Sequence, residues 1–90
     1  MLSGPSRMLE LYVKLWCPWC VAAIETLDAL GCTYTLHDVE KDPAGAATVR
    51  AISGQSKVPT MSAAGAVLAD FGPEEVEPFL HKLGLLPGRP

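Results

Sequence analysis

Leu9-Glu10-Leu11-Tyr12-Val13-Lys14-Leu15-Trp16-Cys17-Pro18-Trp19-Cys20 is an apolar run followed by two cysteines three positions apart. The run predicts a β-strand over about Glu10 to Leu15. Proline suits the first position of a helix, where its missing N–H costs nothing, so a helix begins near Pro18. It continues through Val21-Ala22-Ala23-Ile24-Glu25-Thr26-Leu27-Asp28-Ala29-Leu30. Cys20, Ile24, Leu27 and Leu30 fall on one face at helical spacing, which packs that side on a sheet, and Gly31 is the C-terminal stop. Two thiols at the start of a helix that follows a strand form the constellation expected of a dithiol/disulfide redox site.

Downstream, Thr33-Tyr34-Thr35-Leu36-His37-Asp38-Val39 is rich in β-branched and aromatic residues and predicts a second strand. Asp42 as N-cap and Pro43 at the first position open a second helix, which runs through Val49 and Ile52 to Ser53-Gly54. Strand, helix, strand in about 30 residues is a right-handed parallel βαβ unit. Val58-Pro59-Thr60-Met61 predicts a third strand, Ala64-Gly65 a turn and Ala66-Val67-Leu68-Ala69 a fourth strand. The connection is too short for a crossover, so these two pair antiparallel. Gly72-Pro73 opens a last helix whose buried stripe is Val76, Leu80 and Leu83. Pro78 should kink its first turns or delay the regular helix. The order βαβ-α-ββα is the smallest version of the thioredoxin-like fold, an α/β architecture with a four-stranded mixed sheet and about three helices on both faces.

Ninety residues, 49% of them apolar, suffice for one domain with one modest core. A net charge of −3 argues against nucleic acid as a partner, and no apolar run approaches the roughly 18 residues of a membrane span. Residues 1–8 read as a flexible leader, 9–84 as the domain and 85–90 as a tail. The opening residues lack the apolar stretch of a signal peptide, so the expected compartment is the cytoplasm, and a monomer is the expected state. In a reducing compartment a Cys-x-x-Cys pair is more often catalytic or metal-binding than a structural staple. With three cysteines and neither a second Cys-x-x-Cys nor a His-x-x-x-His, a four-ligand zinc site within one chain lacks ligands. No metal or flavin is expected.

Lys14-Leu15-Trp16-Cys17-Pro18-Trp19-Cys20, then Ser53-Gly54-Gln55-Ser56-Lys57-Val58-Pro59, then a Gly-containing hairpin and a C-terminal helix resemble a glutaredoxin of the dithiol Cys-Pro-Trp-Cys type. The resemblance covers about residues 9–84. It implies a thiol–disulfide oxidoreductase with glutathione as co-substrate and protein disulfides or glutathione mixed disulfides as substrates. Cys17 is the expected nucleophile, since a helix N-terminus and a neighbouring cation, here Lys14, lower a cysteine pKa. Cys20, one turn further in, would resolve the mixed disulfide.

The resemblance also implies that the Val58–Pro59 bond is cis and that the backbone of Val58 pairs with an extended substrate. Lys14 would bind a glutathione carboxylate, and Lys57 is either a second anion contact or a solvated lysine. Trp16 and Trp19 flank the thiols and would form an apolar platform for a partner, with partly buried packing the alternative for Trp16, and Pro18 stiffens the loop between the thiols. Ala69 and Asp70 occupy the segment that in glutaredoxins cradles the γ-glutamyl end of glutathione. Cys32, at the entry to the second strand, is read as a buried, inert thiol. His37 and His81 lack partners at metal or catalytic spacing. Glu74, Glu75 and Glu77 are a solvated helix start.

Two departures from the family pattern stand out. Glutaredoxins usually have Thr where this chain has Lys57, and a Gly-Gly pair followed by Asp where it has Leu68-Ala69-Asp70-Phe71-Gly72-Pro73. Asp70 would either repel a glutathione carboxylate or cap the last helix. Two further readings therefore stay open. One is a glutaredoxin-like redoxin reduced by thioredoxin reductase, of the kind that donates electrons to ribonucleotide reductase. The other is a non-enzymatic iron–sulfur or metal carrier in which two chains each donate Cys17, a reading that Pro18 disfavours.

Overall fold

The computed structural model of the chain describes residues 9–87; the expected leader lies outside them. The elements follow in the order β1 (Leu9–Val13), α1 (Pro18–Ala29), β2 (Thr35–Asp38), α2 (Pro43–Ser53), β3 (Thr60–Ala63), β4 (Ala66–Ala69), a 3₁₀ turn (Pro73–Glu75) and α3 (Val76–Leu83). The four strands form one mixed sheet in the order β2-β1-β3-β4. β1 pairs parallel with β2 and antiparallel with β3, and β3 pairs antiparallel with β4. The thioredoxin-like fold read from the element order is the fold observed.

Strand alternation divides the sheet between two packing faces. Leu9, Leu11 and Val13 of β1 and Met61 and Ala63 of β3 join Cys20, Ala23 and Leu27 of α1, Val76 and Leu80 of α3 and Phe71 in one buried cluster. Tyr12 and Thr60, paired in register, point the other way and are buried on the α2 side, as is Val49. Fully burying one Leu- or Met-sized side chain contributes roughly 1.5–3 kcal/mol, so the α1/α3 side carries most of the core.

Helix ends follow their local chemistry. Asp42 accepts the Ala44 N–H at 3.1 Å as the N-cap of α2, and Gly54 ends that helix at φ 72°. Gly31 ends α1 at φ 77°, with its N–H on the Asp28 carbonyl and the Cys32 N–H on the Leu27 carbonyl. This pair of bonds satisfies carbonyls the helix leaves unpaired. The 3₁₀ turn defers the regular α3 to Val76, and Pro78 becomes its third residue, where an N–H has no intrahelical acceptor to lose.

Three boundaries differ from expectation. β1 ends at Val13, not Leu15, because the Lys14 carbonyl turns to accept the Cys17 N–H at 3.0 Å. β2 is confined to Thr35–Asp38, and β3 starts only at Thr60, after the Val58–Pro59 bond. Within the expected tail, Leu85 and Leu86 pack on the core.

Candidate active site

The C-terminal end of β1, the start of β3 and the end of β4 meet at one end of the sheet. The register places Tyr12 beside Thr60 and Thr60 beside Ala69. The chain leaving β1 makes a tight turn at Leu15-Trp16 and delivers Cys17 to the N-cap position of α1, with extended backbone at φ −78°, ψ 125°. Its carbonyl accepts the first bond of the helix from the Val21 N–H, 3.0 Å away. Pro18 follows as the first helical residue.

The two thiols have different surroundings. Cys17 is half-buried. Burial works against its ionisation but is outweighed: the N–H of Cys20, the Cys20 thiol, the N–H of Trp19 and the charge of Lys14 hold its pKa below that of an ordinary cysteine. Cys20 is fully buried, and burial pushes its pKa up to about 11. The Lys14 N–H, donated to Cys20 Sγ at 3.4 Å, works the other way; the hydrogen bond and charge of Cys17 raise it further. One sulfur is thus accessible, with its pKa lowered, and the other is enclosed beside it, with its pKa raised.

Pro59 is fully buried and the Val58–Pro59 peptide is cis, as the resemblance implied. Val58 packs against the core cluster, as does Cys17, and its backbone N–H and C=O have no hydrogen-bond partner among the described residues. The loop is braced by Gln55, whose side chain accepts the Lys57 N–H at 2.6 Å and donates to the Lys57 carbonyl at 3.2 Å. The Thr60 hydroxyl donates to that same carbonyl at 2.8 Å. Lys57 itself is exposed.

Lys14 and Val58 line a groove shared with Arg50 and Glu40. Trp16 is exposed, but its indole N–H donates to Glu40 Oε1 at 2.9 Å, and Lys14 Nζ lies 5.8 Å from its ring centroid, within cation–π range. Trp19 lies with Asp70 and Phe71 around a second depression. Asp70 is exposed at φ 51°, and the following Phe71 N–H is directed to the Pro59 carbonyl at 3.4 Å. Asp70 does not cap the last helix. Gly72 caps the 3₁₀ turn that precedes that helix, and Glu75, the N-cap residue of α3, returns its carboxylate to accept the Gly72 N–H at 2.9 Å. Ala69 ends β4 and is half-buried.

Glu40 and Gln55 belong to the site's framework, and their roles were not read from the sequence. Glu40 lies 24 residues from the indole it holds, and no local pattern signals that bond. Gln55 stands in the quoted motif, but its bracing bonds are legible only from the loop's shape. Outside the site, Cys32 is half-buried at the opposite end of β1, with its pKa raised by burial. His37 does have a partner: it bonds Glu10 at 2.5 Å and stacks on Tyr12, the residue beside it in register. His81 is exposed. Among the described residues no three His, Cys, Asp or Glu side chains converge as a metal site, and no helix is long and apolar enough to cross a membrane.

The family model described as Glutaredoxin matches residues 9–67, from β1 through the dithiol and the cis-proline into β4. The chain belongs to the glutaredoxin family. A glutaredoxin-like 8.6 kDa protein in the rubredoxin operon of Clostridium pasteurianum is 27% identical over 75 residues, covering 83% of this chain and 100% of that protein. Among solved structures, the thioredoxin-like protein BC3987 superposes with a TM-score of 0.74 at 30% identity, over 80% of this chain and 99% of that one. The NrdH-redoxin of Escherichia coli, a glutaredoxin-like protein with a thioredoxin-like activity profile, shares the fold. Its TM-score is 0.69 at 21% identity, over 79% of this chain and 92% of that one. The glutaredoxin elements that the match spans are those that carry Cys17, Cys20 and Pro59.

Proposed function

We propose that this glutaredoxin is a dithiol oxidoreductase that reduces disulfides of proteins, or of proteins with glutathione. The observation that carries this reading is the contrast between the two thiols. The Cys17 thiolate attacks one sulfur of the substrate disulfide, forms a mixed disulfide and expels the other sulfur as a thiolate. Cys20 then gives up its proton, attacks Cys17 Sγ and breaks the mixed disulfide. The second substrate sulfur leaves as a thiol, and two electrons have passed to the substrate while Cys17–Cys20 becomes the disulfide. The negative charge of Cys17, which helps keep Cys20 protonated at rest, disappears once Cys17 is in the mixed disulfide. Loss of that charge favours release of the Cys20 proton at the moment it is needed. The unpaired N–H and C=O of Val58 are available to an extended substrate segment.

Re-reduction needs two electrons, which glutathione supplies in the family reading, with Lys14 as the carboxylate contact. A second reading, reduction by thioredoxin reductase, is favoured by the exposed Asp70 carboxylate in a segment that lacks the family's Gly-Gly pair, and by the Phe71 N–H being turned onto Pro59. The NrdH-redoxin shows that the fold is compatible with thioredoxin-like activity.

The test is to oxidise Cys17–Cys20 and follow thiol recovery with NADPH, using glutathione plus glutathione reductase in one arm and thioredoxin reductase in the other. Recovery with glutathione supports the first reading; recovery with thioredoxin reductase alone supports the second. In either case Cys17→Ser should abolish disulfide reduction. Cys20→Ser should lose two-electron reduction of protein disulfides and stall there as a mixed disulfide visible by mass, but under the first reading it should keep the reduction of glutathione mixed disulfides, where a single thiol suffices. Full turnover by Cys17→Ser would remove Cys17 from the proposed role.

A further inference from the structure

The approach to the dithiol is lined differently on its two sides. Toward α2, Lys14 and Arg50 share a groove with Glu40, whose carboxylate already accepts the Trp16 indole. Toward the start of α3, Trp19, Asp70, Phe71, Gly72 and Glu74 line a depression in which both ionisable groups are acidic. The Trp19 indole is 60% exposed, and Trp19 lies in the first turn of α1, two residues past Cys17. Asp70 and Glu74 are also exposed, and neither enters a hydrogen bond or ion pair among the described residues. The Glu74 carboxylate lies against Gly72: its two oxygens would sit 2.6 and 2.7 Å from any Cβ at that position. Lys82 borders Glu74 and Glu75 on a neighbouring surface and pairs with neither.

We infer that the depression formed by Trp19, Asp70 and Glu74 receives an arginine or lysine side chain from the protein segment that carries the substrate disulfide. An indole face is the best of the aromatic rings for a cation, and two unpaired carboxylates beside it supply the complementary charge. Trp19, which lines the depression, is two residues past Cys17, so a segment whose sulfur meets Cys17 brings a flanking residue toward it. The same carboxylates oppose an anionic group there, so the feature that disfavours a carboxylate ligand selects a cationic one. This rests on the disulfide-reductase reading above and adds the substrate's chemistry to it.

The experiment uses two disulfide peptides of one sequence that differ only in carrying Arg or Glu within three residues of the reacting cysteine. Each is mixed with fully reduced protein, and loss of Cys17 and Cys20 thiols is followed in a single turnover, so the identity of the reductase plays no part. Exposed charge pairs are modest, so the Arg peptide should react about three- to tenfold faster at low ionic strength, and the advantage should collapse in 1 M salt. Asp70→Asn combined with Glu74→Gln should remove the preference, whereas Glu77→Gln, outside the depression, should keep it. Equal rates for the two peptides, or a preference that survives the double substitution, would overturn the inference while leaving disulfide reduction intact. If neither peptide oxidised the protein, the oxidoreductase reading itself would fall, and this one with it.

Discussion

Cys17 and Cys20 are the same chemical group one helical turn apart, and the fold makes them opposite reagents. Cys17 stands at the N-cap, where first-turn N–H groups meet its sulfur, and its pKa is lowered against the effect of burial. Cys20 is enclosed by the core, and its pKa is raised to about 11. The signs dictate the pH behaviour. A lowered pKa keeps Cys17 reactive at pH values where an ordinary cysteine has lost its thiolate; a raised pKa keeps Cys20 unreactive until pH climbs toward 11. Alkylation of the reduced protein with iodoacetamide should therefore modify Cys17 first at pH 7, with a rate midpoint below that of an ordinary cysteine, while Cys20 and Cys32 lag. Peptide mass mapping across pH 5–10 checks this. Earlier modification of Cys20 or Cys32 would contradict the assignment of Cys17 as the thiolate.

Among the elements, the β3–β4 hairpin is the one with an evident local conflict. Its turn places Ala64 at φ 51° and Gly65 at φ 83°, and a two-residue turn with both φ positive prefers Asn-Gly. Alanine has no side-chain compensation for the left-handed region, so Ala64→Asn should stabilise the protein by about 0.5–1 kcal/mol. A rise in urea midpoint at unchanged slope would show this, and no shift would mean that the turn relaxes away from this geometry. The hairpin was legible in the sequence because Gly65 sits between two short apolar runs, and α2 because Asp42, Pro43 and Gly54 bracket it. The end of β1 was not, since the apolar Leu15-Trp16 continues the strand pattern while a backbone bond from Cys17 turns the chain. On α1, Ala23 is fully buried where Ile24 is only partly so; helical spacing finds the face but not which of its residues the core encloses. The cysteines and their depth could be read from spacing, and the cis-proline only through family resemblance. The holds of Glu40 on Trp16 and of Gln55 on the Lys57 loop exist only once distant segments meet.

For the whole molecule, the Cys20 sulfur is part of the hydrophobic core and not an appendage to it. Cys20 shares the α1/α3 cluster with Leu27, Met61, Phe71 and Leu80, so packing on that side of the sheet sets the desolvation that raises the Cys20 pKa. A 90-residue domain has a stability of only about 5–13 kcal/mol. Leu80→Ala removes a fully buried side chain and should cost about 2–5 kcal/mol. Val67→Ala, on an exposed position of β4, should cost no more than about 0.5 kcal/mol. The two variants also separate stability from chemistry. A cavity at residue 80 weakens the apolar enclosure of the cluster, so Cys20 should alkylate faster at fixed pH in Leu80→Ala than in Val67→Ala, under conditions where both remain folded. Urea unfolding measures the first effect and mass-mapped alkylation the second. Equal Cys20 reactivity in the two variants would mean that the thiol's protection comes from its own helix and from the Lys14 N–H rather than from the core behind it.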